Sequence, residues 1–213
     1  MKHTLAALLV VAAPVAMVPA SVAAQTAPAP TPELAAVSAH LKALQTMTAS
    51  FSQTSQTGQT LTGNLTLARP GKIRFQYQRG VPLLVVSDGR ALTMIDYQVR
   101  QVSRWPIKNT PLGVLLDPDR DPSRFAQMLP SGDPDRLLVR ARDPKHPEYG
   151  TITMAFTRVK GAPAGLRLDG WTVLDAQNNQ TTVRLSDQRF NVAISPNAFK
   201  FTDPRPRRLP GKG

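Results

Sequence analysis

The 213-residue chain contains no cysteine. A disulfide framework, a thiolate metal site and a cysteine nucleophile are therefore closed to it, as is the acylated cysteine that would make it a lipoprotein itself. Histidine is nearly as scarce, with His3 at the start of the chain and only His40 and His146 beyond it. His40 falls mid-helix beside Leu41 and His146 in a proline-flanked loop, so solvated or half-buried imidazoles are expected rather than a metal or acid–base pair. No G-x-S-x-G elbow, P-loop or H-E-x-x-H occurs. Asp117-Pro118-Asp119-Arg120-Asp121 has the one-three-five spacing of a calcium loop. Pro122 stands where that loop needs glycine, however, and Met128 where it needs a bidentate glutamate, so helix capping is the better reading. The chain reads as a non-enzyme with no cofactor.

Long apolar runs are also missing. The stretch from Leu5 to Val18 is interrupted by Pro14 and is too short for a membrane span. Preceded by Lys2 and His3 and followed by small residues ending Val22-Ala23-Ala24, it has the order of a secretory signal peptide (residues 1–24) cleaved after Ala24. The mature chain would be 213 − 24 = 189 residues, enough for one domain with a sizeable core. Acidic side chains are few, 14 against 26 basic ones; losing Lys2 leaves 25 − 14 = +11. Such a charge suits nucleic acid, an anionic membrane or an acidic partner, and export argues against nucleic acid. A soluble periplasmic monomer is expected.

What the sequence does have is strand signal. From Ala68 to Tyr97, Ile73, Phe75 and Tyr77 alternate with Lys72, Arg74, Gln76 and Gln78, Arg79-Gly80 makes a turn, Leu83 to Val86 is apolar on both faces, and Ser87-Asp88-Gly89 leads into a strand from Arg90 to Asp96. This predicts an antiparallel meander. Before it, residues 25–31 form a proline-containing linker. Thr31-Pro32-Glu33 starts a helix whose Leu34, Val37, Leu41, Leu44 and Met47 share one face. Strands are expected over Ala49–Ser55, Leu61–Leu67, Gln98–Trp105, Arg136–Arg142, Thr151–Arg158, Leu166–Asp175 and Thr181–Phe190, with a bulge at Gly170 and a hairpin tip at Asn178-Asn179. Two short helices are expected between Asn109 and Leu129, the first carrying Leu112, Leu115 and Leu116, the second Phe125, Met128 and Leu129. Residues 197–202 read as a turn and last strand, and 205–213 as a basic flexible tail.

These pieces give nine or ten strands in a single α+β domain over 32–204, built on one large antiparallel sheet. A sheet of that size curls. With three oily-faced helices over its concave side, it would enclose an apolar cavity under a lid. Leu65, Leu67, Ile73, Phe75, Met94, Met154 and Phe156 alternate onto the inferred concave face. On the residues alone, a closed hydrophobic core is the favoured reading of such positions.

Arg69-Pro70-Gly71-Lys72-Ile73-Arg74-Phe75, Leu84-Val85-Val86-Ser87-Asp88-Gly89, Asn109-Thr110-Pro111 and Phe199-Lys200-Phe201-Thr202, in this order along the mature chain, resemble the periplasmic outer-membrane lipoprotein carrier family, LolA. The resemblance implies an incomplete, strongly curved β-barrel with a helical lid. It implies acyl-chain binding by Leu61, Leu65, Leu67, Ile73, Phe75, Tyr77, Leu92, Met94, Ile152, Met154, Phe156, Leu166 and Leu168, under lid residues Leu34, Val37, Leu41, Leu112, Leu115, Leu116, Phe125 and Met128. Arg69, an exposed edge-strand charge if considered alone, would be the latch beneath the lid. Partners would be acylated lipoproteins, the inner-membrane lipoprotein-releasing ABC transporter, and an outer-membrane acceptor protein or the membrane itself. Asp203 stands where the family often has proline, and the basic tail replaces a fuller C-terminal extension. A lipid- or lipoprotein-sensing domain of the same fold and a basic polyanion-binding protein are the alternatives.

Overall fold

The computed structural model describes residues 31–110, 112–116 and 125–206. The expected signal peptide, the linker up to Pro30, the acidic run from Asp117 to Asp121, the side chain of Leu115 and the tail beyond Pro206 lie outside the described residues.

Helix α1 (Pro32–Ala43) begins where its caps predict: the Thr31 hydroxyl accepts from the Leu34 N–H at 3.3 Å, with proline in the first turn. Leu34, Val37 and Leu41 are buried as their spacing requires. The helix stops earlier than its apolar periodicity suggests. Leu44 is extended (φ −79°, ψ 97°), and Met47 belongs to strand β1 (Thr46–Ser55). Pairing takes over there: Asn191 Oδ1 accepts the Gln45 N–H at 2.9 Å while the Asn191 N–H donates to the Thr46 carbonyl at 2.7 Å. Met47 still reaches the core, now by strand alternation.

Eleven strands form one antiparallel sheet among the described residues. After β1 come β2 (Thr60–Ala68), β3 (Lys72–Tyr77), β4 (Leu83–Asp88), β5 (Ala91–Asp96), β6 (Gln101–Pro106), β7 (Ala126–Leu129), β8 (Arg136–Arg142), β9 (Thr151–Arg158), β10 (Leu166–Leu174) and β11 (Gln180–Phe190). Their order is β6-β5-β4-β3-β2-β1-β11-β10-β9-β8-β7, two meanders joined where β11 returns to β1. The end strands β6 and β7 do not pair, so the sheet is not closed. It is nevertheless curved. Phe75 on β3 and Trp171 on β10 are four strand spacings apart, roughly 19 Å along a flat sheet. Their rings meet edge to face at 6.1 Å between centroids.

Register explains the Gly170 slip. Leu168 pairs with Phe156 and Gly170 with Ala155, leaving Asp169 as the extra residue of a bulge. At φ +154°, a Cβ on Gly170 would sit 2.1 Å from the Val183 carbonyl oxygen.

Three further expectations are corrected. Strand β6 starts at Gln101, not Gln98, because Asp96 Oδ1 accepts the Gln98 and Val99 N–H groups (2.9 and 3.2 Å) and Arg100 adopts φ 55°. The expected second short helix is not formed at its C-terminal end: Phe125 is in a turn and Met128 and Leu129 lie in β7, paired with Val139 and Leu138. A three- and four-residue spacing over so short a run suits either structure, and pairing with β8 decides it. Finally, residues 197–202 form a turn and irregular chain rather than a strand. Phe199 packs on the convex face against Leu84, Val86, Ile95 and Val102, and Arg74 holds the segment by donating to the Ala198 and Lys200 carbonyls. Among the described residues the α-helices are α1 and a four-residue α2 (Gly113–Leu116).

Candidate functional site

The concave face is divided. Under α1 it is a closed core: Leu65, Leu67, Ile73, Ile152, Met154, Phe156, Leu166 and Leu168 are each at most 1% exposed, packed with Leu34, Val37, Leu41 and Leu116. Leu61, Leu112, Phe125 and Met128 are partly buried against the same cluster. Beside α1 the face is uncovered and forms a cleft of about 600 Å³, a volume typical of small-ligand sites.

Four of the thirteen expected acyl-chain residues line the cleft, Phe75, Tyr77, Leu92 and Met94, together with Leu112 of the expected lid. Nine others lie in or against the core. Val85, Trp105, Trp171, Val173 and Val183 also line it, and sequence reasoning passed them over. For Trp171 and Val173 a signal exists in the sequence: the phase slip at Gly170 returns their side chains to the cleft side. Trp105 could be found only through pairing, since it stands opposite Leu92 on β5.

The cleft floor is aromatic. Phe51 meets the rings of Phe75 and Tyr77 edge to face at 5.3 Å, and Phe75 meets Trp171. The Tyr77 hydroxyl donates to Gln53 Oε1 at 2.8 Å, satisfying a phenol whose burial pushes its pKa up. Polar groups stand at the rim, among them Asn109, Thr110, Glu148 and Asp175. The Glu148 carboxyl is exposed and held below its usual pKa chiefly by its bond with His146. Among the described residues no group of three or more histidine, aspartate or glutamate side chains could hold a metal ion. The chemistry its described lining favours is apolar burial.

Arg69 sits immediately after β2, at the junction of both helices. Its Nε donates to the Leu44 carbonyl at the end of α1 (2.9 Å) and Nη1 to the Leu116 carbonyl at the end of α2 (3.3 Å). The Leu116 carbonyl also accepts the Gly71 N–H at 3.1 Å. One guanidinium thus ties both helix ends to the sheet, with its fixed fork of donors reaching two carbonyls that the helices themselves leave unsatisfied. His40 is not the half-exposed imidazole expected of a mid-helix residue: it is fully buried.

The family described as "Outer membrane lipoprotein carrier protein LolA" matches residues 42–202. The chain belongs to the LolA family. Curated relatives include an outer-membrane lipoprotein carrier protein of Chromobacterium violaceum, 29% identical over 188 residues, covering 84% of this chain and 87% of that protein. One of Dechloromonas aromatica is 28% identical over 173 residues, covering 77% and 80%. Among solved structures, an uncharacterized conserved protein from Thermus thermophilus superposes with a TM-score of 0.48 at 10% identity, covering 84% of this chain and 95% of that one. No helix of the described residues is long and apolar enough to cross a membrane.

Proposed function

We propose that this protein is a periplasmic lipoprotein carrier: it takes the acyl chains of lipoproteins released from the inner membrane and escorts them to the outer membrane, without catalysing a reaction. The family match over residues 42–202 carries this reading, and the aromatic-floored cleft is the feature that suits it. Each methylene left in water costs ~0.8 kcal/mol, so several acyl chains would face a penalty of tens of kcal/mol during the crossing. A carrier need not recover that whole sum, and must not if it is to release its cargo. The cleft as it stands is the entry, and the core under α1 is the remaining volume: lifting α1 would expose Leu65, Leu67, Ile73, Met154 and Phe156 to the chains, while Arg69 draws the helices back when the site is empty. Export by the signal peptide, loading by the inner-membrane ABC transporter and delivery to an outer-membrane acceptor complete the proposal.

The test is binding of an environment-sensitive fatty-acyl probe to the wild-type protein and to Met94→Glu. Met94 lines the cleft and is 37% exposed, so the variant should fold; Phe75, 4% exposed, would confound binding with folding. Saturable binding that weakens at least tenfold in Met94→Glu is expected. Equal binding by a folded variant would place the ligand elsewhere.

A further inference from the structure

His40 occupies the inward face of α1, fully buried. Its Nδ1 lies 2.8 Å from the Pro163 carbonyl in the turn between β9 and β10. A carbonyl only accepts, so Nδ1 carries the proton and donates. The ring packs edge to face on Phe156 at 5.5 Å, and Nε2, also buried, makes no hydrogen bond among the described residues. Leu44, whose carbonyl Arg69 holds, donates its own N–H to the His40 carbonyl at 3.0 Å. Both anchors therefore act on the last turn of α1 from different parts of the sheet, Arg69 from the end of β2 and Pro163 from the far meander.

We infer that His40 is a second, proton-sensitive clasp of α1, a positioning residue that holds the helix closed while the imidazole is neutral and lets it lift when protonated. The inference rests on the carrier reading insofar as the lifting serves loading. A proton can be added only at Nε2, which would create a buried cation sharing its surroundings with the Arg69 guanidinium. Burial lowers the His40 pKa; the Pro163 and Leu166 carbonyls favour the charged form, and Arg69 opposes it. Of the other ionisable groups on elements packed around α1, Lys42, Lys160, Arg158 and Arg167 are exposed, Glu33 is half-buried in the first turn of α1, and Asp169 is engaged by Thr157 and Arg167. The sign follows. With the closed-state pKa below the open-state value of about 6.5, the clasp is fully effective above that pH and weakens as pH falls through 6.5 towards the closed-state value.

Hydrogen exchange of α1 amides reads the clasp without any ligand. In wild type, protection in α1 relative to the β1–β2 core should drop between pH 7.5 and 5.5, by up to about tenfold per pH unit, the limit for one proton. His40→Phe keeps the ring against Phe156 but cannot donate, so α1 should be about fivefold less protected at pH 7.5, the worth of one hydrogen bond, and its relative protection should not change with pH. His40→Gln restores a donor without a charge and should recover protection while remaining pH-independent. His146→Asn, at the exposed histidine near the cleft rim, should behave as wild type. A wild-type pH response surviving in His40→Phe, or vanishing in His146→Asn, overturns the clasp. The fatty-acyl probe separates the two claims: a pH-dependent α1 in a protein that binds no probe leaves the clasp standing and removes the carrier reading.

Discussion

Replacing Arg69 by leucine should make the carrier hold its cargo. The side chain donates one well-formed bond to Leu44 at 2.9 Å and a longer one to Leu116 at 3.3 Å, on a carbonyl that Gly71 also satisfies. Hydrogen bonds from a charged group contribute ~1.5–3 kcal/mol each, and with the second bond discounted the closed state loses about 3 kcal/mol, or about 150-fold in the closed-to-open ratio. If closing competes with occupancy, apparent affinity for a fatty-acyl ligand should rise by up to that factor, and transfer to acceptor membranes should slow correspondingly. Arg69→Lys should recover only part, since an ammonium cannot reach both carbonyls in the geometry of the planar fork. The assay is probe affinity together with the rate of transfer of a loaded acylated protein to acceptor vesicles. Wild-type affinity and transfer in a folded Arg69→Leu protein would refute the latch.

Two further predictions concern the sheet that positions the cleft. Gly170→Ala would place a Cβ 2.1 Å from the Val183 carbonyl and 3.0 Å from the Arg184 Cα; β10 and β11 must separate, at a cost of about 3 kcal/mol, which lowers Tm by roughly 6–12 °C in a domain of this size. A melting curve unchanged to within about 2 °C would contradict the bulge geometry. Ser87 is fully buried, donating to the Gly71 carbonyl at 2.7 Å and accepting the Gly89 N–H at 3.1 Å; Ser87→Ala leaves both groups short of a partner and should cost about 1–3 kcal/mol by urea denaturation, with m unchanged.

The sheet was legible in the sequence because its strands are amphipathic: Ile73, Phe75 and Tyr77 announce β3, Thr62, Asn64 and Thr66 face outward from β2, and the Gly170 slip marks a bulge that the register bears out. The segment from Phe125 to Leu129 departs from its expected helix because five residues cannot distinguish a helical from an extended period, and β8 settles the matter from outside the window. The division of the concave face was illegible for a related reason. Leu67 and Phe75 alternate identically, yet only Phe75 borders open space. Alternation gives the face of the sheet; which part of that face α1 covers depends on where a helix lands, a long-range matter. His40 shows the same limit: its spacing from Val37 and Leu44 places it on the apolar face, but nothing local directs it at a carbonyl 123 residues away.

The carrier claim is tested most directly by native mass spectrometry of the full-length gene product isolated from the periplasm of its own cells without detergent. The expected result is a chain beginning at Gln25, part of it carrying a stoichiometric acylated protein or acyl lipid that Met94→Glu fails to retain. A protein recovered only in the membrane fraction with residues 1–24 still attached, or one always free of acylated ligand even when lipoprotein export is overloaded, would contradict it.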